Sequence, residues 1–97
     1  MIAAIMNYKL ALGHHEKLEA IAASAPDSLK GVKGFVNAVY YSDKEKGEYG
    51  SITVWETKED FEAALNSLPA EVGETLQSLS VEPPDIKTYY VNNNFSA

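Results

Sequence analysis

Apolar residues recur with the period of a β-strand along Ile2–Leu10, where the even-numbered residues form one apolar face. Both faces of this segment are apolar as far as Met6, which is typical of a central strand that is covered on both sides. Three further segments, rich in aromatic and β-branched residues, read as strands: Phe35–Ser42, Tyr49–Glu56 and Ile86–Val91. The pattern therefore predicts four strands.

Two other segments have the apolar spacing of an α-helix, at i, i+3, i+4 and i+7. The first is His14–Ala25, and Pro26 is expected to bend or restart this helix because proline is costly inside it. For the second helix, Thr57 is the predicted N-cap, with Asp60 three residues later. The apolar face of the second helix, with a predicted break or kink at Pro69, consists of Phe61, Leu65, Leu68, Val72, Leu76 and Leu79.

The resulting order, β-α-β-β-α-β, predicts a ferredoxin-like α+β fold with a four-stranded antiparallel sheet and two helices on one face. The first strand is expected beside the third in the centre of the sheet, and this central pair is expected to run parallel. The face of the sheet without helices keeps apolar side chains, which a domain this small cannot leave in water. A homodimer formed through the open sheet face is the predicted solution.

Length, charge and composition narrow the function classes. The 97 residues predict a single domain over 1–97, with a polar tail at 92–97. The formal net charge of −6 argues against nucleic-acid or anionic-membrane partners. The sequence contains no cysteine, which excludes thiolate catalysis and suits a cytoplasmic location. We also expect no secretory signal and no membrane-spanning segment.

Few side chains offer chemistry for a functional site. Trp55 ends the third strand and is either a core plug or part of a pocket beside the second helix. With Asn7 on the adjacent strand, its indole N–H could hold a substrate carbonyl or phenolate. His14 and His15 are the residues that titrate near neutral pH without perturbation. Because neighbours on a helix point about 100° apart, this pair cannot chelate one metal as an i, i+4 pair does.

The favoured interpretation of the two histidines is a solvated helix start. The alternative is that one histidine reaches the mouth of the pocket as a base, if the first helix starts near the third strand. Two adjacent tyrosine pairs must each place one ring on either face of the sheet, and the sequence does not select which of them would face the pocket: Tyr40, Tyr41, Tyr89 and Tyr90.

Three segments, NYKLALGHHEKLEAIA, GVKGFVNAVYY and GSITVWETKEDFEAAL, together resemble the antibiotic biosynthesis monooxygenase family of dimeric α+β barrels. The features that carry the resemblance are a strand running into a glycine-led helix, a Gly-Phe start of the second strand, and a tryptophan before an acidic helix start. The family includes quinone-forming monooxygenases without a cofactor, haem-degrading monooxygenases and isomerases. The resemblance implies the same fold and an oxygenase-like activity.

The resemblance also implies site residues. Relative to the haem-degrading branch, Asn7 and Trp55 match, but Leu65 stands where that branch has a histidine. Relative to the quinone-forming branch, the positions of its Asn, Trp and Tyr hold Ser51, Trp55 and Phe61. We therefore expect Asn7 and Trp55 as catalytic residues, no metal ligands, and substrate contacts from Ser51, Phe61 and Leu65.

The leading functional hypothesis is a cofactor-independent monooxygenase for a small aromatic or polyketide-like substrate. One alternative is a dimeric module of the same fold that binds a small ligand without chemistry. A less favoured alternative is haem binding or degradation, with His14 or His15 as the ligand. The discriminating feature is whether Asn7 and Trp55 line one open pocket.

Overall fold

The computed structural model describes residues 1–67 and 70–94. Along them the elements are β1 (Ile2–Lys9), α1 (His15–Leu29), β2 (Phe35–Asp43), β3 (Glu48–Trp55), α2 (Lys58–Asn66), α3 (Ala70–Leu79) and β4 (Asp85–Tyr90). The four strands form one sheet in the order β2-β3-β1-β4, and all neighbours are antiparallel. The predicted ferredoxin-like α+β fold is confirmed, with the first and third strands adjacent in its centre.

The predicted direction of the central pair is wrong, because β1 and β3 run antiparallel. The helical crossover makes β1 parallel to β2, and the short hairpin between β2 and β3 then reverses the chain. The crossover rule therefore determines the direction of β1 relative to β2 and not its direction relative to β3. As a result, Trp55 lies opposite Ile2, and Tyr49 lies opposite Tyr8.

The helices differ from the prediction in their ends. Helix α1 continues to Leu29, four residues beyond the predicted end at Ala25. Proline removes one helical hydrogen bond and crowds the preceding turn, but the last turn of α1 brings the apolar side chain of Leu29 against the core. The predicted second helix is two helices, α2 and α3. The break expected at Pro69, together with Leu68 and residues 95–97 of the predicted tail, lies outside the described residues.

The core lies between the sheet and the helices. Strand alternation puts Ile2 and Ala4 of β1 on the same face as Trp55 of β3, and Phe61 of α2 packs against them. Around this cluster are the partly buried side chains of Met6, Leu29, Val32, Phe35, Ala64 and Leu65.

The N-terminus of α2 fixes how Phe61 meets this core. The Thr57 hydroxyl accepts the Asp60 N–H at 3.1 Å, which confirms the predicted N-cap. The cap starts α2 three residues after Trp55, and the first turn of the helix therefore carries Phe61 into contact with the Trp55 ring.

The other face of the sheet carries apolar side chains that nothing covers within the described part of the chain. Val39 and Ile52 are cross-strand partners on this face and are 58% and 38% exposed. Tyr89, opposite Ala3 on the same face, is 53% exposed. Among the described helices, none is long and apolar enough to cross a membrane.

Candidate functional site

A cavity of about 300 Å³ lies between the sheet and the helices. Its walls come from β1, β2 and β3 on one side and from all three helices on the other. Along β3 it extends from Trp55 to Tyr49, and six residues of a strand span roughly 20 Å. Ligand pockets in proteins start at about this volume and combine apolar walls with a few polar groups, so the cavity has the form of a small-molecule site.

The first end of the cavity is aromatic and apolar. Trp55 is 2% exposed, and its ring lies edge-on to Phe35 at 5.4 Å and tilted against Phe61 at 6.1 Å, measured between ring centroids. The indole N–H donates to the Thr53 hydroxyl at 2.9 Å. Because this donor already has a buried partner, Trp55 offers the cavity a fixed ring and not a free hydrogen-bond donor.

The three predicted substrate-contacting residues, Ser51, Phe61 and Leu65, all line this cavity together with Trp55. Ser51 is 7% exposed and lies on β3 between the two ends of the cavity. Phe61 and Leu65 project from successive turns of α2, as the helical spacing predicts. The structure thus brings these residues together, while their contact with a substrate stays a prediction.

Asn7, the other predicted catalytic residue, does not share the cavity. It lies opposite Gly50 in the sheet, five residues from Trp55 along β3 and on the face without helices. The Tyr41 hydroxyl donates a hydrogen bond to the Asn7 side-chain oxygen. Gly50, which lies between them, has no side chain to block the Tyr41 ring. The expectation that Asn7 and Trp55 line one pocket is therefore wrong, because strand alternation points them to opposite faces.

The second end of the cavity is polar, and sequence reasoning did not select it. His15, the first residue of α1, lines the cavity, whereas the exposed His14 does not. The His15 Nε2 atom lies 3.3 Å from the Glu19 carboxylate, and Nδ1 lies 3.5 Å from the Tyr49 hydroxyl. The first helix does start near the third strand, which was the condition for a histidine at the pocket mouth.

Two further tyrosines complete the polar end. Tyr8 is the cross-strand partner of Tyr49, and Tyr40 is the partner of Ser51. Burial raises the pKa of both Tyr8 and Tyr40 above its usual value of 10.0. Both side chains therefore stay neutral phenols that can donate hydrogen bonds to an anionic group in the cavity.

The described residues offer little for a metal or haem. Among them, no group of three or more His, Asp and Glu side chains is arranged to hold a metal ion. The sequence of α2 and α3 contains no histidine. His15 faces the cavity, but its Nε2 atom is next to the Glu19 carboxylate. Haem ligation by Nε2 would have to displace this contact.

The family model described as antibiotic biosynthesis monooxygenase matches residues 1–75. No curated protein sequence matches the chain. One similar solved structure is a variant of SnoaB, a cofactor-independent oxygenase from Streptomyces nogalater, with 18% identity and a TM-score of 0.74 over 99% of this chain and 97% of that one. A monooxygenase from the gene ActVA-Orf6 of Streptomyces coelicolor, in complex with the ligand nanaomycin D, is 19% identical, with a TM-score of 0.75 over 99% and 91%.

A third similar structure is a variant of MhuD with two manganese protoporphyrin IX molecules bound per active site, 19% identical with a TM-score of 0.73 over 100% of both chains. All three likenesses extend over nearly the whole length of each chain. At these identities, they show a shared fold and leave the chemistry of the site to be argued from its residues.

Proposed function

Because the chain belongs to the antibiotic biosynthesis monooxygenase family, we propose that it is a monooxygenase that uses no cofactor and oxidises a small aromatic or polyketide-like phenol. The observation that carries this proposal is a single cavity with an aromatic wall at one end and a histidine with several tyrosines at the other. A flat phenol could place its ring against the wall and its hydroxyl at the polar end. The oxygenase activities of SnoaB and of the ActVA-Orf6 protein favour the same class of reaction.

The proposed reaction converts a phenol and O₂ into a quinone and water. The phenol O–H bond and one ring C–H bond break, and the ring carbon forms a C=O bond with one oxygen atom. The second oxygen atom leaves as water with the two hydrogens, and the substrate ring supplies all four electrons. The reaction needs no further reductant. The main task of the protein is to bind the phenolate form of the substrate and to exclude water.

In this proposal Trp55, Phe61 and Leu65 set the shape of the cavity, and Ser51 contacts the middle of the substrate. Trp55 acts through its ring because its N–H is already bonded to Thr53. Ser51 is buried and carries a hydroxyl that can both donate and accept a hydrogen bond.

We also propose that the protein forms a homodimer through the open sheet face. The apolar side chains on this face belong to the central strands as well as the edge, as the exposed Val39 and Ile52 illustrate. A second copy of the same face would remove this surface from water, and each Å² of apolar surface so removed contributes about 25 cal/mol.

A binding module without chemistry is the second candidate, and one observation favours it. Neither of the two hydrogen-bond donors that the family resemblance suggested is available to the cavity: the Trp55 N–H bonds Thr53, and Asn7 lies on the other face of the sheet. The cavity could then hold an aromatic ligand that is never oxidised.

Trp55 emission combined with oxygen uptake separates the two candidates. Because the chain has one tryptophan, we expect saturable quenching by phenols or anthrones, and for the monooxygenase one O₂ consumed per quinone formed. Binding without oxygen uptake would establish the module instead. Hemin added in the same titration would reveal haem binding by a Soret band.

A matched pair of variants shows whether the ligand occupies the cavity. Ala64 lines the cavity, and its neighbour Ala63 on α2 is exposed. Ala64→Phe should therefore raise the ligand concentration needed for half-maximal quenching at least tenfold, since the added ring fills the cavity. Ala63→Phe should leave this concentration unchanged. Equal effects of the two variants would place the ligand elsewhere.

A further inference from the structure

The polar end of the cavity contains a connected row of three side chains whose chemistry the proposed function has not yet used. His15 and Glu19 lie one turn apart on α1, and their side chains meet at 3.3 Å. On its other side, the His15 ring lies 6.0 Å from the Tyr49 ring between centroids, and the Tyr49 hydroxyl is 3.5 Å from Nδ1. All three residues line the cavity.

The neighbours of His15 determine which ring nitrogen carries the proton. A neutral imidazole has one N–H and one lone pair, and an ionised carboxylate can only accept a hydrogen bond. The contact with Glu19 therefore keeps the proton on Nε2 and leaves the lone pair of Nδ1 directed towards the Tyr49 hydroxyl. A separation of 3.5 Å is at the long end of a hydrogen bond, as is common for catalytic contacts before substrate binds.

Once a proton has moved to the His15 imidazole, the groups around this residue favour a substrate phenolate in the cavity. The titratable groups that face this end are Glu19 from α1, Tyr49 from β3, Tyr8 from β1 and Tyr40 from β2. Among the described lining residues, Glu19 is the only one with a formal charge at neutral pH if His15 is neutral. Its side chain is 67% exposed at the mouth and adjoins the far nitrogen of His15, so that it would stabilise an imidazolium more than it would repel a phenolate deeper in the cavity.

We infer that His15 is the proton acceptor of this site, that Tyr49 passes the proton to it, and that the substrate binds with its hydroxyl at this end. The inference rests on the proposed function and deepens it. The substrate O–H bond breaks and its proton goes to the Tyr49 oxygen, while the Tyr49 proton goes to His15 Nδ1. The products are a bound phenolate and an imidazolium paired with Glu19, and this proton remains available for the oxygen atom that leaves as water. Tyr49 is the catalytic residue that touches substrate, whereas His15 acts through it and Glu19 positions the ring.

The test uses 4-nitrophenol, whose phenolate is coloured, so that proton transfer can be read without turnover. In the wild type we expect the phenolate-to-phenol ratio of the bound probe to be about tenfold higher than that of the free probe at the same pH, because an opposite charge such as the His15 imidazolium lowers the pKa of a nearby acid by about one unit or more. His15→Gln should return the ratio to the free value, because glutamine can hydrogen-bond but cannot take up the proton. Tyr49→Phe should do the same, and Glu19→Gln should lower the ratio in part.

His14→Gln is the matched control, since His14 is adjacent in sequence but exposed and outside the cavity. It should behave as the wild type, and Trp55 emission should confirm that each variant is folded. A bound probe that ionises as it does in free solution, or a ratio that His15→Gln leaves unchanged, would overturn the inference.

Oxygen uptake with an anthrone separates this inference from the proposed function. A shifted ratio without oxygen uptake supports the proton relay and refutes the oxygenase. Oxygen uptake that His15→Gln does not slow refutes the relay alone. If no phenol quenches Trp55 emission, both the proton relay and the proposed oxygenase function are refuted.

Discussion

The hydrogen bond from Trp55 to Thr53 provides a quantitative test of how the aromatic wall is held. Thr53→Val keeps the branched shape of the side chain and removes the hydroxyl that accepts the indole N–H at 2.9 Å. Trp55 and Thr53 are 2% and 6% exposed, so the indole N–H has little access to bulk water as a replacement acceptor. An unsatisfied buried donor costs about 1–3 kcal/mol. Valine also buries more apolar surface than threonine, and we therefore expect a loss of stability in the lower half of that range, about 1–2 kcal/mol.

The assay is equilibrium urea unfolding followed by far-ultraviolet circular dichroism, at one protein concentration because dimerisation makes stability concentration-dependent. Trp55→Phe removes the N–H itself, so that Thr53→Val in this background should cost no more than about 0.5 kcal/mol. The matched control is Thr88→Val, which makes the same change on the other side of Ala4 in the sheet. If Thr53→Val costs the same with tryptophan or phenylalanine at position 55, the hydrogen bond does not hold the ring and the reasoning is wrong.

The close packing at Gly50, the burial of Tyr8 and the exposure of Ile52 each predict a measurable effect. A Cβ at Gly50 would meet the Tyr41 hydroxyl and the backbone of β1, so Gly50→Ala should lower the free energy of unfolding by about 1–3 kcal/mol in the same urea assay. Burial raises the pKa of Tyr8, so the folded state holds the phenol proton more tightly than the unfolded state does. The free energy of unfolding should therefore fall as pH rises above about 10, and it should fall less steeply in Tyr8→Phe. Ile52→Asp should convert a dimer into a monomer in size-exclusion chromatography, whereas Val81→Asp, an exposed position outside the sheet, should not; elution of the wild type as a monomer would contradict the homodimer.

Local signals in the sequence were sufficient for most of the fold. The strand period placed β1 within one residue, and the Thr57 cap, confirmed by its bond to the Asp60 N–H, placed the start of α2. The extent of α1 was less accessible, because its last turn depends on a tertiary contact. Leu29 packs against the core, and this burial offsets the donor lost at Pro26, which a sequence pattern alone does not weigh.

The same contrast between local signals and tertiary contacts explains which site residues the sequence could indicate. Ser51 and Trp55 share a strand parity, and Phe61 and Leu65 share a helix face, so each pair follows from a period within one element. Their meeting in one cavity requires only that α2 packs on the sheet directly after β3. The family resemblance selected these four positions, and local spacing with one short connection explains why they meet.

Asn7 and His15 depend instead on the register between two distant strands. If β1 and β3 ran parallel, the end of β1 and the start of α1 would lie beside the end of β3, near Trp55. Because they run antiparallel, that end of β1 lies beside the beginning of β3, and His15 meets Tyr49. Asn7 keeps the strand position that the family resemblance suggests, yet its odd parity in β1 directs it to Tyr41 on the other face. Family resemblance can indicate which residue type occupies a position, but strand direction and face determine which groups its side chain contacts. Here strand direction and face place the polar end of the cavity at the N-terminus of α1.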